Sequence, residues 1–283
     1  METSSRPVLR WHGGKWLLAP WIIGHFGPHR CYVEPFGGAA SVLLRKPISH
    51  AEIYNDLDDG VVNLFRVLQD PATAERLLRI LRLTPFARSE FALAYEPSDD
   101  PVEEARRLIV RSFMGHGSTA HTRAKTGFRA NSTRSGTVPA RDWKNYADAL
   151  PAVIDRMLGV IIENRDAREV MAAHDGADTL HYVDPPYLPA TRNHGNPYCR
   201  KHLYSHELTE ADHSDLLASL CALEGMVILS GYPSELYDDA LPDWLRIDRA
   251  ALADGAKPRT ECLWLNPAAA SAMPRPGLFE AVA

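Results

Sequence analysis

The sequence predicts an α/β fold: a doubly wound sheet whose two halves are separated by an inserted helical block. Three observations predict it. Cys31-Tyr32-Val33-Glu34 reads as a strand running into the small-residue turn Gly37 to Ser41, and Ala51 to Tyr54 repeats the strand. Apolar residues then recur at three- and four-residue spacing across 72–83, 102–113 and 143–158, which is the period of helices. After residue 159 the strand-like runs return, at 160–163, 179–183, 226–229 and 260–265.

A chain of 283 residues can bury a large core, as one domain with an insertion or as two domains. Hydrophobic residues at 45% and charged residues at 24% describe an ordinary soluble composition. No run approaches the roughly 18 apolar residues of a membrane span, and Met1 to Pro7 lacks the apolar core of a signal peptide. Cys31, Cys199, Cys221 and Cys262 show no CxxC spacing, so the expected setting is reduced and cytosolic. The formal net charge of -5 does not advertise a polyanion partner, but the charge is uneven. From Arg111 to Lys144 there are seven Lys or Arg residues against the single acid Asp142. Such a stretch reads either as a solvated loop or as a polyanion contact.

Leu9 to Lys15 places an aromatic residue, two glycines and a lysine before the apolar stretch Trp16 to Phe26, which reads as a helix ended by Gly27-Pro28. Glycines there bring backbone N–H groups near a ligand and Lys15 can reach an anion, although Gly-Gly also serves as a plain turn. The unit Cys31 to Ser41 followed by Val42-Leu43-Leu44 reads as strand, glycine-bearing turn and helix, the arrangement that holds an adenosine-containing ligand at the end of a first strand. It departs from GxGxxG, which disfavours hydride chemistry. Asp56 lies 22 residues after Glu34, near the roughly 20-residue spacing at which an acid meets ribose hydroxyls. It reads equally as the N-cap of a helix over 57–68.

The chemistry gathers at Asp184-Pro185-Pro186-Tyr187, behind the apolar run His181-Tyr182-Val183. Two prolines stop a strand abruptly, so the tetrapeptide is either an ordinary surface turn or the rim of a crevice. As a rim it offers two acceptors, the Asp184 carboxylate and the Pro185 carbonyl, which suit the two N–H donors of an exocyclic amine. Accepting both hydrogens favours the pyramidal, nucleophilic nitrogen. Tyr187 adds an aromatic face for a base. No metal is required by this chemistry. The spacing Cys199-x2-His202-x3-His206 has zinc-like elements without a paired-ligand framework.

Trp11-His12-Gly13-Gly14-Lys15, Glu34-Pro35-Phe36-Gly37-Gly38, Asn55-Asp56 and Asp184-Pro185-Pro186-Tyr187, in that order, resemble the Dam-type (D12 class) DNA adenine N6-methyltransferases over about residues 8–266. The resemblance implies a Rossmann-like S-adenosylmethionine-dependent methyltransferase sheet, mixed in strand direction, with an inserted helical target-recognition domain. It implies S-adenosylmethionine held by Trp11, Lys15, Glu34, Phe36, Gly38, Asp56, Asp166 and Asp184. Lys15 would take the methionine carboxylate, Asp56 the ribose, and Asp166 the adenine ring. Asp166 reads almost as well as the cap of a helix over 167–173. Asp184, Pro185 and Tyr187 would be catalytic, holding the amine and the base. Ala39 and Ala40 stand where relatives often have another glycine, which alanine tolerates if φ stays negative.

The expected organisation is a cofactor-binding half over 1–70, a helical target-recognition insert over 71–158, a second catalytic half over 159–270 and a flexible tail over 271–283. Within the insert, Arg123, Lys125, Arg129 and Arg134 are the expected DNA contacts, in a Gly/Ser/Arg-rich stretch from 115 to 139. The implied reaction moves a methyl group to adenine N6 of a base flipped from double-stranded DNA. The protein is expected to act in the cytoplasm of a bacterial or phage-infected cell, as a monomer or as a dimer on DNA. Cytosine N4 methylation would use the same amine geometry, and a catalytically silent DNA-binding protein would keep the same fold. Protein glutamine methylation goes with Asn rather than Asp at the first motif position.

Overall fold

The computed structural model describes residues 6–117, 125–131, 138–192, 206–253 and 257–274. Along the first half run α1 (Ala19–Ile23), β1 (Cys31–Glu34), β2 (Ala51–Asn55) and α2 (Asp59–Gln69). A helical block follows: α3 (Pro71–Leu83), α4 (Arg88–Leu93), α5 (Pro101–Met114), α6 (Pro139–Lys144) and α7 (Leu150–Met157). The second half carries β3 (Ile161–Glu163), α8 (Ala167–Ala173), β4 (Thr179–Val183), α9 (Pro189–Arg192), α10 (Glu210–Cys221), β5 (Met226–Gly231) and α11 (Glu235–Ala240). It ends with β6 (Leu245–Ala253), β7 (Lys257–Leu265) and α12 (Pro267–Ala272).

The described strands form one seven-stranded, Rossmann-like sheet in the order β3-β2-β1-β4-β5-β7-β6. β1 to β5 run parallel, and β7 is antiparallel to both β5 and β6. β4 and β5 are buried along their whole length because helices cover both faces, which explains why they read as continuous apolar runs rather than alternating ones. Alternation survives in the choice of face. Tyr32, Tyr54, Leu180, Tyr182 and Ile228 pack towards α1, α2 and the helical block. Val33, Ile53, Val183, Val227 and Leu229 pack towards α8, α10 and α11.

The helical block has no separate core. Phe91, Phe113, Trp143 and Tyr146 join the same buried cluster as the strand residues Tyr32 and Leu180. Trp143 stacks on Tyr146 at 5.6 Å and donates Nε1–H to the Thr84 carbonyl at 2.8 Å, while the Tyr146 hydroxyl donates to Val8 O at 2.7 Å. The N-terminal segment is thereby fastened across the block.

Several local expectations are corrected. The helix expected over 16–26 shrinks to α1, five residues long. The segment 38–45 is a series of turns in place of the helix expected after the loop. The helix expected over 143–158 is broken between α6 and α7, because Pro151 has no N–H to continue a helix and instead sits in the first turn of α7. Asp58, not Asp56, caps α2, its carboxylate accepting from Gly60 N at 2.9 Å. α4 and β6 were not expected at all.

Asn55 ends β2 and ties three strand ends together. Its Nδ2 donates to Pro35 O at 2.8 Å and to Arg165 O at 3.0 Å, and its Oδ1 accepts from Arg165 N at 2.9 Å. Asn55→Ala strands buried partners on two neighbouring loops and should cost about 2 kcal/mol, read as a fall in the urea midpoint with no change in slope.

Candidate active site

The carboxyl ends of β1, β2 and β4 open into a cleft of about 870 Å³, at the point where the strand order reverses. One wall is the loop after β1. Gly37 N donates to Asn55 O at 2.8 Å, Gly38 N donates to Asp56 Oδ2 at 2.8 Å, and the Tyr54 hydroxyl donates to Gly38 O at 2.7 Å. Gly38 has φ +48°, and a Cβ there would lie 2.5 Å from Trp11 Nε1. The indole of Trp11 therefore lies directly on a backbone position that only glycine leaves open. Ala40 is at φ +52°, so the expectation of negative φ at the alanines fails there. The loop instead carries a strained left-handed alanine, held by Ala40 N to Gly37 O and Leu44 N to Ala40 O bonds of 2.8 and 2.9 Å.

Of the acids of this wall, Glu34 is buried and Asp56 half-buried. Glu34 accepts from the Tyr32 hydroxyl at 2.7 Å and from Leu43 N at 3.0 Å, yet burial pushes its carboxyl up to about 8. Burial also lifts Asp56 to about 6, against the two loop amides, Asp58 N and Gly38 N, that hold its oxygens at 2.8 Å.

The opposite wall is the Asp184 rim. Asp184 Oδ2 pairs with Lys15 Nζ at 2.9 Å, and Lys15 also donates to Gly13 O at 2.7 Å. Asp184 Oδ1 is buried without a hydrogen-bond partner among the described residues. Burial raises the Asp184 carboxyl while the Lys15 ammonium pulls it back down. The ion pair thus favours the ionised acceptor in a place that would otherwise neutralise it.

Trp11, Lys15, Glu34, Phe36, Gly38, Asp56, Asp184 and Pro185 all line this one cleft. Tyr187 does not present the open face expected of it. It is 6% exposed, with Lys15 Nζ 4.7 Å from its ring centroid and Tyr232 edge-on at 4.7 Å. Asp166 caps α8 through Arg168 N at 2.8 Å and forms an ion pair with Arg168, while its neighbour Ala167 reaches the cleft. Lys125 is exposed, and Arg129 is half-buried with its guanidinium on Phe113 O at 2.9 Å. Arg123 and Arg134 lie outside the described residues, as do Cys199 and His202. His206 lines the cleft. Among the described residues no cluster of three or more His, Cys, Asp or Glu side chains is placed to hold a metal, and no helix is long and apolar enough to cross a membrane.

Sequence reasoning missed Tyr54, Tyr182 and Glu261, which surround the site from below. Tyr182 lines the cleft with its hydroxyl buried and unpartnered among the described residues. Glu261 had a readable signal: it is the one acid in the otherwise apolar run that ends β7, Thr260 to Leu265.

Glu34 generates a pH prediction. Its folded value of about 8 lies above the ordinary 4.5, so the folded state holds the proton more tightly than the unfolded chain. Its stabilising contribution is complete below 4.5 and is lost as pH rises through 8. Glu34→Gln, which keeps an acceptor and removes the charge, should exceed the wild-type chain in stability by roughly a few kcal/mol near pH 9. The gap should close near pH 4 in urea titrations run at both values.

A sequence model of the D12 class N6 adenine-specific DNA methyltransferases matches residues 11–225. The DNA adenine methylase of Serratia marcescens is 27% identical over 245 residues, covering 83% of this chain and 86% of that one. The DNA adenine methylase of Salmonella typhi is 25% identical over 244 residues, 82% of each chain, and that of Escherichia coli K12 is 25% identical over 198 residues, 67% and 68%. The matched span takes in the Trp11–Lys15 segment, the Gly38 loop and the Asp184 rim, and the chain belongs to the D12 class of N6 adenine-specific DNA methyltransferases.

Proposed function

We propose that the methyl donor is S-adenosylmethionine and that the acceptor is an adenine flipped from double-stranded DNA, its N6 amine held by Asp184 and the Pro185 carbonyl. One observation carries this reading: a buried, unpartnered carboxylate oxygen, Asp184 Oδ1, shares a single cleft with the Gly38 loop and Asp56.

The residues present fit an adenosyl group. Gly38 leaves a cradle that a Cβ would fill, Trp11 and Phe36 supply apolar walls, and Asp56 brings an acceptor to the end of β2, where ribose hydroxyls are met in open α/β sheets. The donor supplies, when bound, a methyl group on a positively charged sulfur. Everything else falls to this chain. Asp184 Oδ1 and Pro185 O accept the two N–H groups of the amine, which frees the nitrogen lone pair from the ring. Lys15 favours the ionised form of Asp184, and the N–H that Asp184 holds gives its proton to water after the methyl group has passed from sulfur to nitrogen. The prolines at 185 and 186 fix the rim backbone, so the acceptors need little rearrangement during the reaction.

Stacking hides N6 within a duplex, so the base has to be extruded at a cost of roughly a few kcal/mol. The helical block bears the target-recognition role in this reading. Lys125 and Arg129 sit just beyond the end of α5, where Phe128 packs on Phe86 and Phe91 at 5.1 and 5.7 Å and fastens the segment to the block. In this reading Lys125 and Arg129 contact the DNA backbone, Lys125 from an exposed position. The target is DNA inside the cell.

Asp184→Ala should abolish methyl transfer to unmethylated duplex DNA while leaving cofactor affinity within a few-fold. Incorporation of labelled methyl groups near the wild-type rate would sink the assignment. Lys125→Ala should weaken DNA binding uniformly across sequences and lower the slope of log K against log salt by about 1. A change confined to one recognition sequence would instead make Lys125 a base reader.

A further inference from the structure

Asp184-Pro185-Pro186-Tyr187 is a rim without a ladder. Neither proline has an N–H, so sheet pairing cannot continue past Asp184 to hold the backbone that presents the Pro185 carbonyl. Side chains fasten it at both ends instead. At the first end, Asp184 is held by Lys15 at 2.9 Å. At the second end, the Tyr187 hydroxyl donates to Glu261 Oε2 at 2.9 Å and lies 3.0 Å from Ser230 Oγ. A phenol has one proton, and Glu261 takes it, so Ser230 is the donor in the second bond.

Glu261 sits on β7, the strand that runs antiparallel beside β5, and is 8% exposed. A lone carboxylate in that position costs stability, and a simple hydrophobic strand residue would serve the sheet better. The group is buried for what it holds. We propose that Glu261 is a positioning residue for adenine methylation: through the Tyr187 hydroxyl it fixes the far end of the Asp184–Tyr187 rim and so sets where the Pro185 carbonyl meets the amine. This rests on the role given above to Asp184 and Pro185. Burial raises the Glu261 carboxyl, and Lys15 opposes that rise as it does for Asp184, so one ammonium serves both acids. Tyr187 is a rim anchor in this account, which explains why its ring is enclosed by Lys15 and Tyr232.

The test uses four variants of the full chain: Glu261→Ala, Glu261→Gln, Tyr187→Phe and the double variant Tyr187→Phe/Glu261→Ala. Three quantities are read: the single-turnover rate of methyl transfer to a duplex, cofactor affinity by titration, and fluorescence of a duplex carrying 2-aminopurine at the target position. The third reports extrusion of the base without chemistry. Glu261→Ala should slow transfer at least tenfold, with cofactor affinity and the fluorescence change within threefold of wild type. Glu261→Gln should recover the rate to within threefold, because the amide oxygen still accepts from Tyr187. Tyr187→Phe should match Glu261→Ala, and the double variant should be no more than twofold slower than either.

A Glu261→Ala rate within twofold of wild type overturns the proposal, as does a Glu261→Gln variant no faster than Glu261→Ala. So does a double variant slowed by the product of the two single effects, since Glu261 would then act independently of Tyr187. Should Glu261→Ala fail to bind cofactor, Tyr187→Phe decides: a fivefold or greater loss of rate at unchanged cofactor affinity supports the proposal, and a smaller loss overturns it. Asp184→Ala separates the two levels. Near wild-type transfer by that variant removes the reading of the rim itself, whereas its inactivity beside a fully active Glu261→Ala removes only the role of Glu261.

Discussion

The parallel register of β1 with β4 is the constraint on which the site depends. Cys31 pairs with Thr179 and Val33 with His181, so two strands separated by the whole helical block end side by side. A parallel pair needs a long crossover, and here the crossover is large enough to contain β2, α2 to α7, β3 and α8. Because both strands point the same way, the loop after Glu34 and the rim after Val183 open on the same edge. Slipping either strand by one residue would exchange its buried faces, moving Val33 and Val183 out of one cluster and Tyr32 and Tyr182 out of the other. The register is thus set by packing on both sides of the sheet, and the cleft inherits its precision.

What that edge collects is an excess of acid. Glu34 and Glu261 are buried and Asp184 is partly buried, burial raises all three, and Asp184 contributes to raising the other two. Lys15 is the cation that faces Asp184 directly, and it opposes the rise at Glu261 as well. Such an arrangement is poor for stability, since each charge loses water and only part is returned by pairing. It is well suited to holding an uncharged amine. An acceptor kept ionised by a nearby cation takes N–H donors strongly, while the same cation limits how basic the acceptor becomes.

The sequence made the parallel strands and the two walls of the cleft legible, for a physical reason. β1, β2, β4 and β5 are apolar runs closed by residues that cannot continue a ladder, and the cleft residues follow directly at their ends. Trp11, Lys15, Gly38, Asp56 and Asp184 were identifiable because each sits beside a break in secondary structure. Glu261 stands out in the sequence as a lone acid but could not be placed from it, because it belongs to the sheet itself, and only the antiparallel pairing of β5 with β7 carries it beneath Tyr187. β6 escaped for a related reason: it is an edge strand, and Arg246, Asp248 and Arg249 interrupt its apolar pattern. Asp166 and Tyr187 show local geometry that residue type alone does not reveal. Their residue types suited ligand contact, but local geometry turned one into a helix cap and the other into an anchor.

A short chain of contacts links the end of α5 to the cleft. Arg10 N donates to Ser112 Oγ at 2.7 Å, the same hydroxyl donates back to Arg10 O at 3.1 Å, and the Arg10 guanidinium meets Gly115 O at 3.4 Å. The next residue, Trp11, lies on Gly38, and Gly38 is held by Asp56. A displacement at the end of α5 therefore has a short, packed path to the cleft wall. Cores transmit such shifts because they are close-packed and have few alternative arrangements. Sharing one core between block and sheet follows the same logic: Tyr146 reaches Val8 and Phe113 packs on Tyr146 at 4.6 Å, so the N-terminal segment cannot move without the block. The family's order of motifs, with the aromatic-lysine segment first and the insert in the middle, is in this fold a statement about contact.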